Sequence, residues 1–542
     1  MATQPCTYPV TRFRRLCLRP RLPPVSCHTV NGRNQSGGFH EYGLQYLPPA
    51  CCPVASCAIN ILSCFLTPGG RRDGLTHAPT IVWFRDDFRL ADNPALLEAE
   101  KLHKPILCVV ILDEAHLPGA AARWWLDRAI RSLDGDLRRM GGSLHVFRGP
   151  AGQVLTEIVR QTGADTVVWN RRYDLKGRET DTAIKAGLRA EGIAVHSFPG
   201  GLLHEPWRIR TRAGGQYKIF TAFWRGMRET HPTPFPPAPA PEKLAFAPLA
   251  SQPAGLLPQQ GDYGLLPTRP DWTGGLQEMW TPGEGEAHDR FADFVRDGLD
   301  TYATARDFPA ENASSRLSPF LRFGHVTAAQ IWHGATEKGF PERFLMELAW
   351  RDFAWSLLFS APDMATRNLR PEFDAMPWRD DPAGLARWQQ GQTGYPLVDA
   401  GMRELWHTGW MHNRVRMVVA SFLVKHLLID WRQGEQWFAD TLVDHDPASN
   451  PMNWQWNAGT GVDAAPYFRI MNPVLQSRKF DPHGAYIRRW VPELTRLSDK
   501  AIHAPWETEI SRGYPAPIVD HRLARERALQ AWKTMGSGAG QE

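Results

Sequence analysis

From Thr80 onward, short apolar runs alternate with longer stretches of helical period. TIVWF (80–84), PILCVVIL (105–112), SLHVF (143–147), DTVVWN (165–170) and GIAVHSF (192–198) read as strands, the second fully buried. Between them, ADNPALLEAE (91–100) predicts a helix entered through Asp92 or Asn93, with Pro94 near its first turn. ARWWLDRAIRSLDGDLRRM (122–140) predicts an amphipathic helix. This alternation predicts a parallel, doubly wound sheet. The stretch has no Gly-x-Gly-x-x-Gly fingerprint, so it gives no support to dinucleotide binding there.

The pattern then stops. Residues 230–270 are so rich in proline that regular structure is disfavoured and an extended path is expected. A connection this long is expected to run along the surfaces of both flanking domains and tie them together. After Glu284 apolar positions recur at helical spacing to about residue 510, as in RFLMELAWRDFAWSLLF and RVRMVVASFLVKHLLIDW. The expected architecture is α/β plus all-α. It comprises an extension 1–79, an α/β domain 80–208, a Pro-rich linker 209–283, a large helical domain 284–510 and a C-terminal tail 511–542.

Charge and cysteine set the first 79 residues apart. They hold eight Arg, no Lys and only Glu41 and Asp73 as acids, a balance of +6. The rest carries 54 basic and 55 acidic groups, so any nucleic-acid surface must be a local basic patch. Seven of the eight Cys precede residue 79, and all 22 Trp follow it. The main body therefore reads as a protein of a reducing compartment. The extension is either an organelle transit peptide or non-native translation, and is expected to be disordered and dispensable. Its Cys spacing does not suit zinc, and no metal site is expected. VASCAINILSCFL (54–66) is too short to span a bilayer.

The chemistry concentrates in DHDPASNPMNWQWNAGTGVDAAPYFRIMNP (444–473). Asp444 and Asp446 are spaced to reach one hydroxyl-rich ligand, or else to cap a helix or pair with Arg414 or Arg416. Asn450 offers a neutral amide that both donates and accepts. Trp454 and Trp456 would diverge by about 200° on a helix and serve different neighbours. Upstream, Ser318-Pro319 reads as a helix start with a Ser cap and Pro at its first position. Exposed N–H groups there, with the hydroxyls of Ser314, Ser315 and Ser318, suit a pyrophosphate. Glu347 and Trp350 lie one helical turn apart, as do Asn413 and Met417.

Taken in order with TGYPLVDAGMRELWHTGWMHNRVRM (393–417) and LLIDWRQGE (427–435), these motifs resemble the photolyase/cryptochrome family over about residues 79–510. The closest likeness is to class I-type photolyases for cyclobutane pyrimidine dimers. The resemblance implies an antenna function for the α/β domain and FAD binding for the helical one. It implies FAD contacts from Tyr302, Ser314, Ser315, Arg316, Leu317, Ser318, Asn413, Asp444, His445, Asp446 and Asn450. Asn450 would face the flavin N5, where plant cryptochromes have Asp. That favours a fully reduced, electron-donating flavin.

By the same resemblance Glu347, Trp350, Asn413, Met417 and Trp456 would bind and process an extruded dimer. The (6-4) photolyases carry a His pair in this region, and only His412 stands here. Trp378, Trp431 and Trp454 match the electron relay, Trp454 innermost. Arg306, Glu347, Trp350, Arg351, Asn413, Arg414 and Gln476, with Arg478 and Lys479, would contact DNA.

The implied activity is light-driven repair, by electron transfer from excited reduced FAD to a flipped-out dimer. The implied partner is damaged DNA, bound by a monomer away from membranes. The implied location is cytoplasmic in a bacterium, or an organelle if residues 1–79 target it. The second reading is a blue-light photoreceptor, and the short stretch after the helical domain counts against it. One departure concerns the antenna. Gly177, beside Lys176, stands where folate-using photolyases carry a Glu, which leaves folate in doubt and a deazaflavin or an empty site open. A protein shortened to begin at His77 should fold, hold FAD and repair like the full chain. Loss of flavin from the purified short form would overturn this reading of the extension.

Overall fold

The computed structural model describes residues 78–249, 255–258, 261–508 and 513–538. The expected extension 1–79 lies outside the described residues, except for Ala78 and Pro79. Five parallel strands form one sheet in the order β3-β2-β1-β4-β5. They are β1 Thr80–Phe84, β2 Ile106–Leu112, β3 Leu144–Arg148, β4 Thr166–Asn170 and β5 Ala194–Phe198. β1, β2 and β4 are buried along their whole length, which is why they read as continuous apolar runs. Helices α1 Pro94–Lys101, α2 Ala120–Arg139, α3 Ala151–Thr162 and α4 Leu175–Ala190 make the crossovers. Alternate residues face opposite cores. Val82, Phe84, Cys108 and Val110 pack with α1 and α2, whereas Ile81, Trp83, Leu107 and Val109 pack with α3 and α4. Asn93 caps α1 by accepting from the Leu96 N–H at 3.2 Å, with Pro94 at its first position.

The loop from β1 to α1 carries the helical part of the chain. The Phe88 N–H donates to the Phe323 carbonyl at 3.1 Å. Glu284 accepts from the N–H groups of Leu90 and Ala91 at 2.7 and 2.9 Å. Gly324, with φ 64, comes so close that a Cβ would lie 2.2 Å from the Asp86 carbonyl oxygen, so only glycine fits. His325 is fully buried beside it. Its Nδ1 donates to the Phe88 carbonyl and its Nε2 accepts from the Trp125 indole, both at 3.0 Å. Burial lowers its pKa to about 4, so the ring is neutral, as one donor and one acceptor require.

The proline-rich stretch is extended and bonded to the sheet domain. Residues 245–247 pair with Ile106 at the start of β2, and residues 255–257 pair with the exposed edge of β3. Pro234 accepts from His333 of the helical part at 3.1 Å. Two pieces of the expected 209–283 linker are helical instead, α5 Phe220–Thr230 and a short turn at Gly274–Met279. α5 buries Phe220, Phe223, Trp224 and Met227, a helical spacing that overrides the neighbouring prolines.

The expected tail is a helix too, His521–Gly538, which buries Ala524, Ala528, Ala531 and Met535. One expected helix is broken. Asn413–Ser421 passes into a π-turn at Phe422–Leu427, and Leu428, at φ 58, ends it. The wide turn lets Lys425 bury its ammonium against the Arg469 carbonyl at 2.9 Å, and burial lowers its pKa to about 7. Among the described residues no helix is long and apolar enough to cross a membrane, and no cluster of His, Cys, Asp or Glu could hold a metal.

Candidate active site

Two cavities, of about 260 and 560 Å³, share the walls Ser318, Asn413, Arg416, Met417, Asp444 and Asp446. They open between helices Glu342–Ser360, Asn413–Ser421 and Ser449–Ala458 and the loop 442–448. Their combined span suits an elongated ligand.

Asp444 stands at the shared wall. Its Oδ2 accepts from Ser318 Oγ at 2.6 Å and from Arg416 at 2.8 Å. Its Oδ1 is buried and has no protein partner. A buried carboxylate oxygen left bare costs free energy that a ligand hydroxyl would recover. This orphaned acceptor is the structure's own evidence that a hydroxyl-rich group such as FAD fits. Asp446 is placed differently from the expectation of a direct ligand. Its Oδ1 accepts from the N–H groups of Ala448 and Ser449, capping the next helix, and its Oδ2 takes the Trp355 indole at 3.1 Å.

Asn450 uses its amide nitrogen on Glu435, on the backbone carbonyl at 3.1 Å and on Oε1 at 2.9 Å. Its carbonyl oxygen is therefore what it presents to the smaller cavity that it lines. Burial raises the Glu435 carboxyl from its ordinary range to about 7. Glu435 was not anticipated from the sequence; LLIDWRQGE marks the segment without marking the residue.

Of the residues expected at the phosphate end, the structure brings some to the cavities and not others. Tyr302, Ser315, Leu317 and Ser318 line the larger cavity, and His445 lines the smaller. Ser318 is the first residue of helix Ser318–Arg322 and does not cap it. Its hydroxyl is committed to Asp444 and receives the Trp410 indole at 3.2 Å. Ser314 and Arg316 lie outside both linings. Arg316 holds a left-handed backbone, φ 52, with its guanidinium over Trp410 at 5.2 Å.

Glu347 and Trp350 project together from helix Glu342–Ser360 into the larger cavity, with Asn413, Met417 and Trp456 opposite. His412 is consumed structurally: its Nδ1 accepts from the Arg414 N–H, and burial lowers its pKa to about 4. Three arginines expected to meet DNA are engaged within the protein. Arg306 is paired with Glu347, Arg351 donates to the Gly201 and Leu321 carbonyls, and Arg414 is paired with Asp307 at 2.7 Å. Each has a nearby carboxylate or carbonyl that competes with a phosphate. Arg478 and Lys479 on helix Pro473–Phe480 are exposed, and Gln476 is half-buried beside them.

Trp431 and Trp454 are buried, whereas Trp378 is half-buried against the cluster formed by the C-terminal helix. Trp431 donates to Asn368 at 2.9 Å. Trp454 also has aromatic neighbours that the sequence did not single out: Phe438 at 5.0 Å and Trp388 at 6.2 Å, both edge-on. Trp454 and Trp456 do diverge, one into the smaller cavity and one into the larger. In the sheet domain the Gly177 N–H caps α4 through Asp174 at 2.9 Å, and Lys176 is exposed.

Residues 80–242 match the family described as DNA photolyase, and residues 344–534 match the FAD binding domain of DNA photolyase. A deoxyribodipyrimidine photo-lyase of Agrobacterium fabrum is 49% identical over 477 residues, covering 84% of this chain and 98% of that protein. Cryptochrome-1 of Arabidopsis thaliana is 35% identical, covering 84% of this chain and 70% of its own length. A bacterial class III photolyase from Agrobacterium tumefaciens superimposes with a TM-score of 0.82 at 48% identity, covering 86% of this chain and 99% of that one. The subclass likeness thus runs to class III, where the sequence reading favoured a class I type.

Glu435 yields a pH prediction. Its folded pKa, about 7, lies above its ordinary value of 4.5. The folded state therefore holds this proton more tightly than the unfolded chain. Its contribution to stability is full below pH 4.5 and is lost as pH rises through about 7. Glu435→Gln should flatten that part of the profile while still accepting from Asn450. Urea unfolding of both proteins across this range reads the difference, and parallel profiles would refute it.

Proposed function

The chain belongs to the photolyase/cryptochrome family, and from that premise we propose that it repairs cyclobutane pyrimidine dimers in DNA with light. The observation that carries this reading is the larger cavity, where Trp350, Trp456, Glu347, Asn413 and Met417 converge next to Asn450 and Asp444. A flat indole stacks on an extruded base, and a carboxylate and an amide address its polar edge. Flipping a nucleotide costs a few kcal/mol, and less at a damaged pair, which supplies part of the selectivity.

FAD bound here in reduced form would supply light-driven electron transfer. The residues do the rest. Asp444, fixed by Ser318 and Arg416, would hold the hydroxyl-bearing part of the cofactor through its free oxygen. Asn450, its amide nitrogen held by Glu435, would offer its carbonyl oxygen as an acceptor to the cofactor ring. Arg306 fixes the Glu347 carboxylate at the pocket wall. Trp454, Trp431 and Trp378 carry an electron inward when the cofactor must be recharged. Arg478 and Lys479 bind phosphates, and so set affinity rather than sequence preference.

Light-dependent loss of dimers from thymine-dimer DNA, absent in the dark, is the decisive assay. No repair under either condition would favour a photoreceptor. Two variants resolve the roles. Trp378→Phe should strongly slow photoreduction of oxidised FAD at unchanged flavin content, while the chemically reduced variant still repairs. Failure of the reduced variant would assign Trp378 a substrate or structural role.

Trp350→Ala should remove one stacking wall and spare the flavin. Stacking is worth roughly 1–3 kcal/mol, so affinity for the dimer should fall about fivefold to a hundredfold. Affinity for undamaged duplex should hardly change. The damaged-to-undamaged affinity ratio at one salt concentration is the measurement. A variant that keeps the full ratio would remove Trp350 from the pocket.

A further inference from the structure

We propose that Phe220 and Asp463 are positioning residues that set the gap between the two indole walls of the dimer pocket; this rests on the repair reading above. Phe220 covers one face of Trp350, with ring centroids 3.6 Å apart and planes 8° apart. Phe353 meets both rings edge-on, at 5.9 Å from Phe220 and 5.7 Å from Trp350. The indole is thus held on one face and one edge. Phe220 is itself only 2% exposed, while Trp350 is half-buried. The other face of Trp350 is the one available to a base.

The second wall is tied to the same point. Phe220 is the first residue of α5, and Ile219 before it provides no side-chain cap. The missing acceptor comes from far along the chain. The Phe220 N–H donates to Asp463 Oδ2 at 2.7 Å. The negative charge also suits the positive end of the helix. Asp463 lies in the loop that leaves helix Ser449–Ala458, and the Ala465 N–H in that loop bonds the Trp456 carbonyl at 3.1 Å. A continuous path therefore runs from Trp350 through the Phe220 ring, the Phe220 N–H, Asp463 and its loop to Trp456. Neither Phe220 nor Asp463 needs to touch the flavin to act.

The physical gain is preorganisation. A tryptophan free to change rotamer would lose that freedom each time a base stacked on it, which weakens binding. Here the freedom is already lost on folding. A purely structural role for these residues would lower stability and leave damage discrimination intact in whatever protein remains folded. A positioning role lowers discrimination in folded protein.

The test uses full-length, flavin-loaded protein. Its probes are a duplex bearing one thymine dimer and the identical undamaged duplex, at one salt concentration. Phe220→Ala should reduce the damaged-to-undamaged affinity ratio about twofold to tenfold, the range an aromatic pair contributes. Flavin content and affinity for undamaged duplex should be unchanged, and Phe220→Tyr should restore the ratio. Asp463→Ala should shift the ratio in the same direction, and Asp463→Asn, which keeps an accepting oxygen, should recover most of it. If Phe220→Ala does not fold, Phe220→Leu and the two Asp463 variants decide. Alanine variants that fold and keep the wild-type ratio overturn the proposal while the repair reading stands. A wild type with no preference for the dimer overturns the repair reading and the proposal with it.

Discussion

The site depends on one half-satisfied carboxylate. Asp444 is buried, its Oδ2 is fixed by Ser318 and Arg416, and its Oδ1 is bare. Removing a charged oxygen from water is costly unless something replaces the lost hydrogen bonds. The fold meets half of that cost internally through an arginine that is itself anchored, since Arg416 also donates to the Met411 carbonyl at 2.8 Å. The other half is left for a ligand. The same residue joins the two cavities, so whatever satisfies Oδ1 lies between the Asn450 side and the Trp350 side. Asp446, two residues on, resolves its burial by capping a helix, and that helix carries Asn450, Trp454 and Trp456. One aspartate thus leaves an acceptor free at the wall shared by the two cavities, and the next fixes the start of the helix that carries side chains lining them.

Several other polar groups near the site have their charge suppressed by burial or are paired. Burial raises Glu435 to about 7 and lowers His412 and His445 to about 4. Arg306 and Arg414 are matched by Glu347 and Asp307. A cavity with few free charges has a low effective dielectric, which strengthens each well-aimed hydrogen bond inside it. This sharpens the difference between a base whose edge is matched and one whose edge is not.

Much of this was legible in the sequence. Strands β1, β2 and β4 were visible because buried parallel strands are largely apolar, and β3 and β5 because short β-type runs alternate with helical stretches. The pairs Glu347/Trp350 and Asn413/Met417 were visible because a helix brings positions three or four apart onto one face. The misreadings have equally physical causes. Ser318 resembles a cap, but its hydroxyl finds a stronger partner in Asp444, 126 residues away. A sequence also cannot show that Arg306, Arg351 and Arg414, expected at the DNA surface, each stand beside a carboxylate or carbonyl of the protein. α5 was assigned to the linker because it immediately precedes the proline-rich stretch, although its own apolar spacing is helical. Glu435 is an ordinary helical glutamate until the fold brings it to Asn450.

With most arginines near the pocket internally engaged, attraction to DNA and recognition of damage become separable. The body of the chain is close to electroneutral, and exposed cations near the site include Arg343, which lines the larger cavity, and Arg478 and Lys479 on helix Pro473–Phe480. A few phosphate contacts give an affinity that depends on salt and is indifferent to sequence. On the proposed repair reading, discrimination would arise inside the cavity, from stacking and edge contacts with a nucleotide that has left the helix. Those contacts repay the cost of flipping only if the walls already stand at the right separation, because every rotamer frozen on binding subtracts from the gain. The walls come from helices distant in the chain, Glu342–Ser360 and Ser449–Ala458, and α5 is what spans them. The linker expected to tie the two domains together thus opens with a packed helix, α5, whose first N–H is bonded to Asp463 in the loop after helix Ser449–Ala458.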